Sequence, residues 1–184
     1  MRIVVIGTSG SGKSTMAASI GAHFGLPVVE LDEINWQPNW TALCQTDLPE
    51  FLRRVDAATS GESWVAAGNY TMARHIVWAR AQHLVWLDYP KAVVIRRVIQ
   101  RSFRRAIRHE VIWGNNRETF REWLEPGHPI RWAWKTWHTT RALTINRLAE
   151  PSSAHLVVTQ VKQPEDAKKV VPRLAALMQI AVAS

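Results

Sequence analysis

One cysteine, Cys44, stands among 184 residues, so no intramolecular disulfide can staple the chain. A reducing compartment such as the cytoplasm is expected, and with one thiol a structural zinc site is disfavoured. The seven histidines fall at no metal-ligand spacing. No apolar run approaches the ~18 residues that span a bilayer. With a first strand expected from Arg2, no signal peptide is expected, and no low-complexity linker or internal repeat interrupts the chain. The expected organisation is therefore one domain over 1–184, a length that can bury its own core.

Acidic residues are scarce in one place. Between Arg96 and Arg147 there are twelve Arg and Lys but four acids, Glu110, Glu118, Glu122 and Glu125, so this stretch carries the whole formal charge of +8. It also holds five of the ten tryptophans, at 113, 123, 132, 134 and 137. Such a field concentrates anions, either nucleotide phosphates or nucleic acid.

The most informative run is Gly7-Thr8-Ser9-Gly10-Ser11-Gly12-Lys13-Ser14, followed by Thr15, which completes the pattern G-x-x-x-x-G-K-[ST]. It lies between a short apolar strand at 2–6 and a helical stretch at 13–24, the setting in which the pattern is meaningful. Small residues let the backbone curl so that successive N–H groups face phosphate oxygens, and the helix adds its positive end. The motif predicts ATP binding through residues 7–15, with Lys13 on the β- and γ-phosphates and Ser14 on Mg²⁺ carried in by the nucleotide.

Elsewhere short apolar runs alternate with helical patterns. Strands are expected at 28–31, 63–67, 83–87 and 155–159, and helices at 47–58 (capped by Asp47), 71–80, 91–107 and 131–149. Residues 109–130 read as loop with short helix, and Pro164 opens a last helix with apolar positions 167, 170, 171, 174, 177 and 178 on one face. The fold class is α/β: a three-layer α/β/α arrangement around a five-stranded parallel sheet. Ligands of such sheets bind beyond the strands' carboxyl ends, which brings forward Asp32, Gly68-Asn69-Tyr70, Asp88 and Gln160. Asp88 reads mainly as a cap for the following helix.

The GTPase signatures Asn-Lys-x-Asp and Asp-x-x-Gly are absent. With the 7–15 loop, Leu31-Asp32-Glu33-Ile34-Asn35-Trp36 with Trp40, Gly68-Asn69-Tyr70, Trp86-Leu87-Asp88-Tyr89-Pro90, the Arg97/Arg101 pair and Trp113-Gly114-Asn115-Asn116-x-Glu118, roughly residues 1–160 resemble nucleoside-monophosphate-kinase-like small kinases such as adenylate, shikimate and gluconate kinases. The narrower likeness is to adenylate-kinase-related proteins labelled DNA topology modulation proteins. This resemblance implies an ATP-dependent phosphotransferase. Arg97 and Arg101, one helical turn apart, would clamp phosphates at an arginine-rich helical lid over about 102–130. Asp32 would orient or deprotonate an acceptor hydroxyl or hold the metal's water, and Trp36, Asn69 and Tyr70 would recognise the acceptor. Two departures bear on that acceptor. The Gly-Phe-Pro-Arg stretch that follows the third strand in adenylate kinases is replaced by Gly-Asn-Tyr, and the Gly-Gly-Gly of shikimate kinases is missing. The alternative is a nucleic-acid-associated ATPase, or a polynucleotide 5′-hydroxyl kinase, gripping its polymer through 96–147. Neither the acceptor nor the oligomeric state follows from the sequence.

Overall fold

The computed structural model describes residues 1–125 and 127–183, without the side chains of 122, 124, 178 and 180–183; the expected apolar position at Met178 lies outside the described side chains, and Pro126 of the expected lid outside the described residues. The chain opens with β1 (Arg2–Gly7), the phosphate-loop turn, α1 (Lys13–Phe24) and β2 (Val28–Glu30). A five-residue helix α2 (Leu31–Asn35) then leads into a small antiparallel hairpin, β3 (Trp36–Gln37) and β4 (Thr41–Ala42). Next come α3 (Leu43–Thr46), α4 (Leu48–Ala58), β5 (Trp64–Ala67), α5 (Arg74–Arg80), β6 (His83–Leu87) and α6 (Lys91–Arg108). A second hairpin, β7 (Val111–Ile112) and β8 (Asn116–Arg117), precedes α7 (Pro129–Leu148), β9 (Val157–Val161) and α8 (Val170–Ala183).

The main sheet has five strands in the order β2-β5-β1-β6-β9, every pairing parallel. From β1 the chain winds out to the β2 edge, returns to β5, then crosses to β6 and β9, so the winding reverses at β1. The crevice at that reversal is where such sheets take ligands. Alternation along the strands divides the core in two. Ile3, Val5, Val65 and Val85 pack with Met16, Val94, Val98 and Leu174 on one face. Val4, Ile6, Ala66, Leu84 and Trp86 pack with Phe51, Val55, Val77 and Trp78 on the other. With helices on both faces, this is the three-layer α/β/α arrangement expected.

The ends of several elements differ from expectation, each for a local reason. The last strand is 157–161 rather than 155–159, because the Leu156 N–H closes a turn on Ser153 O and the His155 ring bonds Trp78 O. The shift places Gln160 inside the sheet instead of beyond its end. Pro164 opens a 3-10 turn through Lys169, and α8 proper starts at Val170. Helix α7 begins at Pro129, two residues early, where the His128 ring accepts the Ile130 N–H at 3.4 Å. Asp47 does cap α4, accepting from Glu50 N at 3.0 Å. Asp88 is no cap: it accepts Arg141 Nε at 2.9 Å and Gln160 Nε2 at 2.7 Å, tying α7 to the sheet, while Pro90 starts α6.

The two hairpins dock on each other. Each turns through a pair of left-handed residues, Asn39 and Trp40 in one, Gly114 and Asn115 in the other. Gly114 is required: a Cβ there would lie 2.5 Å from the Gln37 carbonyl carbon. Buried Asn116 joins the pair, donating to Gln37 O (2.9 Å) and Trp113 O (2.7 Å) and accepting Trp40 N–H at 2.9 Å. The stretch expected as loop is thus a clasp held by one amide.

Candidate functional site

The phosphate loop leaves β1 at Gly7 and enters α1 at Lys13, with Gly12 in the left-handed region as the residue before the helix. Gly10 also has positive φ, and a Cβ on it would meet Val98 Cγ2 of α6 at 2.1 Å. That close approach lets α6 lie against the loop. It brings Arg97 Nη1 to Ser11 O at 3.2 Å and Arg101 Nη2 to Ser9 Oγ at 3.4 Å. Arg97 also sits 5.0 Å over the Tyr89 ring. The expected arginine pair therefore does converge on the expected loop.

Lys13 reaches back to Thr8 O at 3.4 Å. Burial pulls its ammonium below the usual lysine range, with Arg101 pulling the same way and Asp32 and Glu30 opposing. Arg101 is drawn down to about 10, chiefly by burial and secondly by Arg105, against Glu118 and Asp32. It remains a cation at neutral pH. The buried Arg101 Nε and Ser11 Oγ have no hydrogen-bond partner among the described residues. Buried polar groups are normally satisfied, so unpaired atoms of this kind in a cationic cradle fit an anion of several oxygens. The cradle suits a triphosphate.

Ser14 donates to Glu30 Oε2 at 3.0 Å. Burial raises the Glu30 carboxyl above its ordinary range; Asp32 and Glu33 add to this, against the Ser14 hydrogen bond and Lys13. A hydroxyl and a carboxylate, both hard oxygen donors, so stand together at the carboxyl end of β2. This is the donor chemistry Mg²⁺ takes. Among the described residues no group of three or more His, Cys, Asp or Glu could hold a metal ion alone. Glu30 was read only as a strand residue; its position two before Asp32 at a strand end was the available signal.

Asp32 lies in α2 and takes the Tyr70 hydroxyl on Oδ1 at 2.7 Å. Burial, then the Asp32 charge, pushes the Tyr70 phenol far above its ordinary range, so it stays a donor. Tyr70 packs on Phe51 with ring centroids 5.2 Å apart. Trp36 and Trp40 meet edge to face at 5.7 Å, and the Trp36 N–H closes α2 on Asp32 O. Asn69 is exposed beside Tyr70, and Thr15 is exposed on the first turn of α1. Asp32, Tyr70 and Trp36 are thus brought together.

The basic, tryptophan-rich stretch divides in two. Trp137 Nε1 donates to Tyr89 O, Trp123 lies against the His128 ring and Arg105 stands 5.8 Å over Trp113, so these three are packing residues. Buried Glu118 accepts from or pairs with His128 Nε2 at 2.9 Å and Arg105 at 3.6 Å, anchoring the segment that follows the second hairpin. Trp132 and Trp134 are exposed, with Lys91 Nζ 4.1 Å over the Trp134 ring.

No protein-family model matches the chain, and a comparison with curated proteins finds no match. Solved structures do. Shikimate kinase from Acinetobacter baumannii in complex with shikimate superposes with a TM-score of 0.58 at 16% identity, over 98% of this chain and 93% of that one. A sugar kinase from Janibacter gives 0.58 at 21% identity over 99% and 96%, and deoxyadenosine kinase from M. mycoides 0.56 at 13% over 98% and 100%. The chain shares the fold of these solved kinases. At these identities the likeness concerns architecture.

Proposed function

We propose that the protein is an ATP-dependent phosphotransferase, moving the γ-phosphoryl group of ATP to a hydroxyl of a small acceptor. The observation that carries this reading is the convergence of Lys13, Arg97 and Arg101 on the phosphate loop, with Asp32 near enough for its charge to act on both Lys13 and Arg101. Phosphoryl transfer asks a protein chiefly to position groups and neutralise charge. Residues 7–15 hold the triphosphate, Lys13 and the two arginines stabilise the migrating group, and Asp32 takes or orients the acceptor hydroxyl. Trp36, Asn69 and Tyr70 frame the acceptor. Ser14, with Glu30 beside it, would hold Mg²⁺, which supplies further charge neutralisation on the phosphates.

We place the chain in one domain whose lid is the end of α6 and the second hairpin, about 102–130, closing over the site to exclude water. Its sequence motifs put it beside the adenylate-kinase-related group, and its single cysteine suits a cytoplasmic setting. No described helix is long and apolar enough to cross a membrane. A second reading, a nucleic-acid-associated ATPase or polynucleotide 5′-hydroxyl kinase, draws on exposed Trp132 and Trp134 and on Lys91 above the latter.

Turnover of Mg·ATP against nucleosides, sugars, their anionic derivatives and short DNA and RNA oligonucleotides tests both, with Lys13→Ala as blank. A phosphorylated small acceptor, lost in the blank, supports the first reading. Phosphorylated oligonucleotide, or hydrolysis stimulated by nucleic acid with no small product, replaces it with the second.

A further inference from the structure

Asp32 and Tyr70 are 38 positions apart, and the backbone brings them together beyond the end of the sheet. The chain leaving β5 runs close against α2: a Cβ on Gly68 would lie 2.7 Å from Leu31 Cβ. Two residues on, the Tyr70 carbonyl accepts the Ala73 N–H at 3.1 Å, and the ring rests on buried Phe51. The Tyr70 hydroxyl meets α2 where Asp32 stands in the first turn, and buried Asn35 ends the same helix.

Hydrogen-bond direction in this cluster is set by its neighbours. The Cys44 N–H reaches Asn35 Oδ1 at 3.0 Å. A backbone amide only donates, so the oxygen end of Asn35 faces Cys44 and its NH2 end is left to donate elsewhere. Asn35 opposes the upward shift of the Tyr70 phenol, as an N–H directed at the phenol oxygen does, while burial and then the Asp32 charge hold the phenol protonated. A phenol that accepts from an amide gives its own hydrogen to another partner. Here that partner is Asp32 Oδ1 at 2.7 Å, on a carboxylate that only accepts.

Resting on the phosphotransferase reading above, we infer that Tyr70 is a positioning residue for Asp32: its hydroxyl holds Oδ1, so that Oδ2 receives the acceptor hydroxyl, while the ring lines the acceptor space. A carboxylate turns about a broad terminal torsion, and a short bond to one oxygen selects one orientation. Transfer depends on that orientation, since reacting groups must lie within about 3–3.5 Å of each other and be aligned. The step balances without another reactant. The acceptor oxygen bonds to the γ-phosphorus as the bond from that phosphorus to the β–γ bridging oxygen breaks. ADP leaves with the electron pair, and the hydroxyl proton passes to Asp32 Oδ2 and on to solvent.

Tyr70→Phe tests this on the full chain, because it removes the hydroxyl and keeps the ring on Phe51. With Mg·ATP and the fastest of the nucleosides and sugars in the screen above, kcat is expected to fall by about 10-fold to 100-fold, with both KM values within about twofold of wild type. A kcat within about twofold of wild type overturns the inference. So does a loss confined to the acceptor KM, which would make the hydroxyl a substrate contact. Both of these results leave the kinase reading intact. The contact also has a readout that needs no turnover. With ¹³C at tyrosine Cζ the chain gives two signals, and the one lost in Tyr70→Phe is that of Tyr70. Asp32→Ala is expected to move that signal at pH 7 and to leave the Tyr89 signal in place. A Tyr70 signal that stays put overturns the inference whatever the kinetics. If the signal moves but wild type phosphorylates no acceptor, the phosphotransferase reading falls and takes the inference with it.

Discussion

On the phosphate side of the cleft, a six-residue strand, a glycine turn and a twelve-residue helix follow one another in sequence, and each hands the chain to the next. Across from it, the proposed acceptor side depends on two hairpins of two-residue strands, separated by some seventy positions and joined through Asn116. The first region takes its geometry from local contacts and a central strand. The second takes it from one long-range polar contact and the close fit of Gly114 on Gln37.

The sharpest way to break that contrast is Lys13→Ala. It removes the one cation inside the loop, and turnover is expected to fall by about 10³-fold or more, with the melting temperature nearly unchanged. A variant that kept a tenth of wild-type turnover would show that the loop lysine does not handle the migrating group. Arg101→Gln comes next, with an expected loss of about 10²-fold in kcat, since it withdraws the guanidinium whose Nε lacks a partner among the described residues. If its loss appeared wholly in the KM for ATP, Arg101 would be a ground-state binder.

How much of this was legible in the sequence follows the same division. The loop, the parallel sheet and the Arg97/Arg101 pairing could be read because they rest on contiguous patterns: an apolar strand, spaced glycines, a four-residue helical interval. The acceptor side could be read only as a set of residues near strand ends. Asp32, Tyr70 and Trp36 were on that set, but nothing local says that the phenol bonds the carboxylate, since they are 38 positions apart. Asn116 was visible only as a letter in a Trp-Gly-Asn-Asn run, because its partners Gln37 and Trp40 are non-local. Asp88 went astray for the same reason: the pattern Asp-x-Pro looks like a cap, whereas Arg141 of a distant helix claims the carboxylate.

Asn116→Ala probes the clasp directly. It leaves the Trp40 N–H and the Gln37 carbonyl without their buried partner, a loss expected to cost about 2–3 kcal/mol. The discriminating readout is kinetic. The acceptor KM should rise while the KM for ATP stays within about twofold, because the phosphate loop makes no contact through this amide. A parallel rise in both constants would mean that the hairpins and the loop behave as one unit, and the contrast between the two sides would dissolve.

The smallest effect expected, and the most specific, concerns Glu30. Its folded carboxyl titrates above the ordinary value of 4.5, so between that value and the folded one the native state binds more protons than the unfolded state. Stability therefore carries a contribution that is fully present below pH 4.5 and is lost as pH rises through the folded pKa. Glu30→Gln abolishes this dependence. Relative to wild type, the nucleotide-free variant should gain in melting temperature as pH goes from 4 to 7. Saturating Mg·ATP should reverse the order at pH 7, because the wild-type carboxylate then has a cation to face and the glutamine does not. A variant that gained equally with and without Mg·ATP would show Glu30 to be a burden of folding with no part in holding the metal, and Ser14 would be left as the sole protein group at that position.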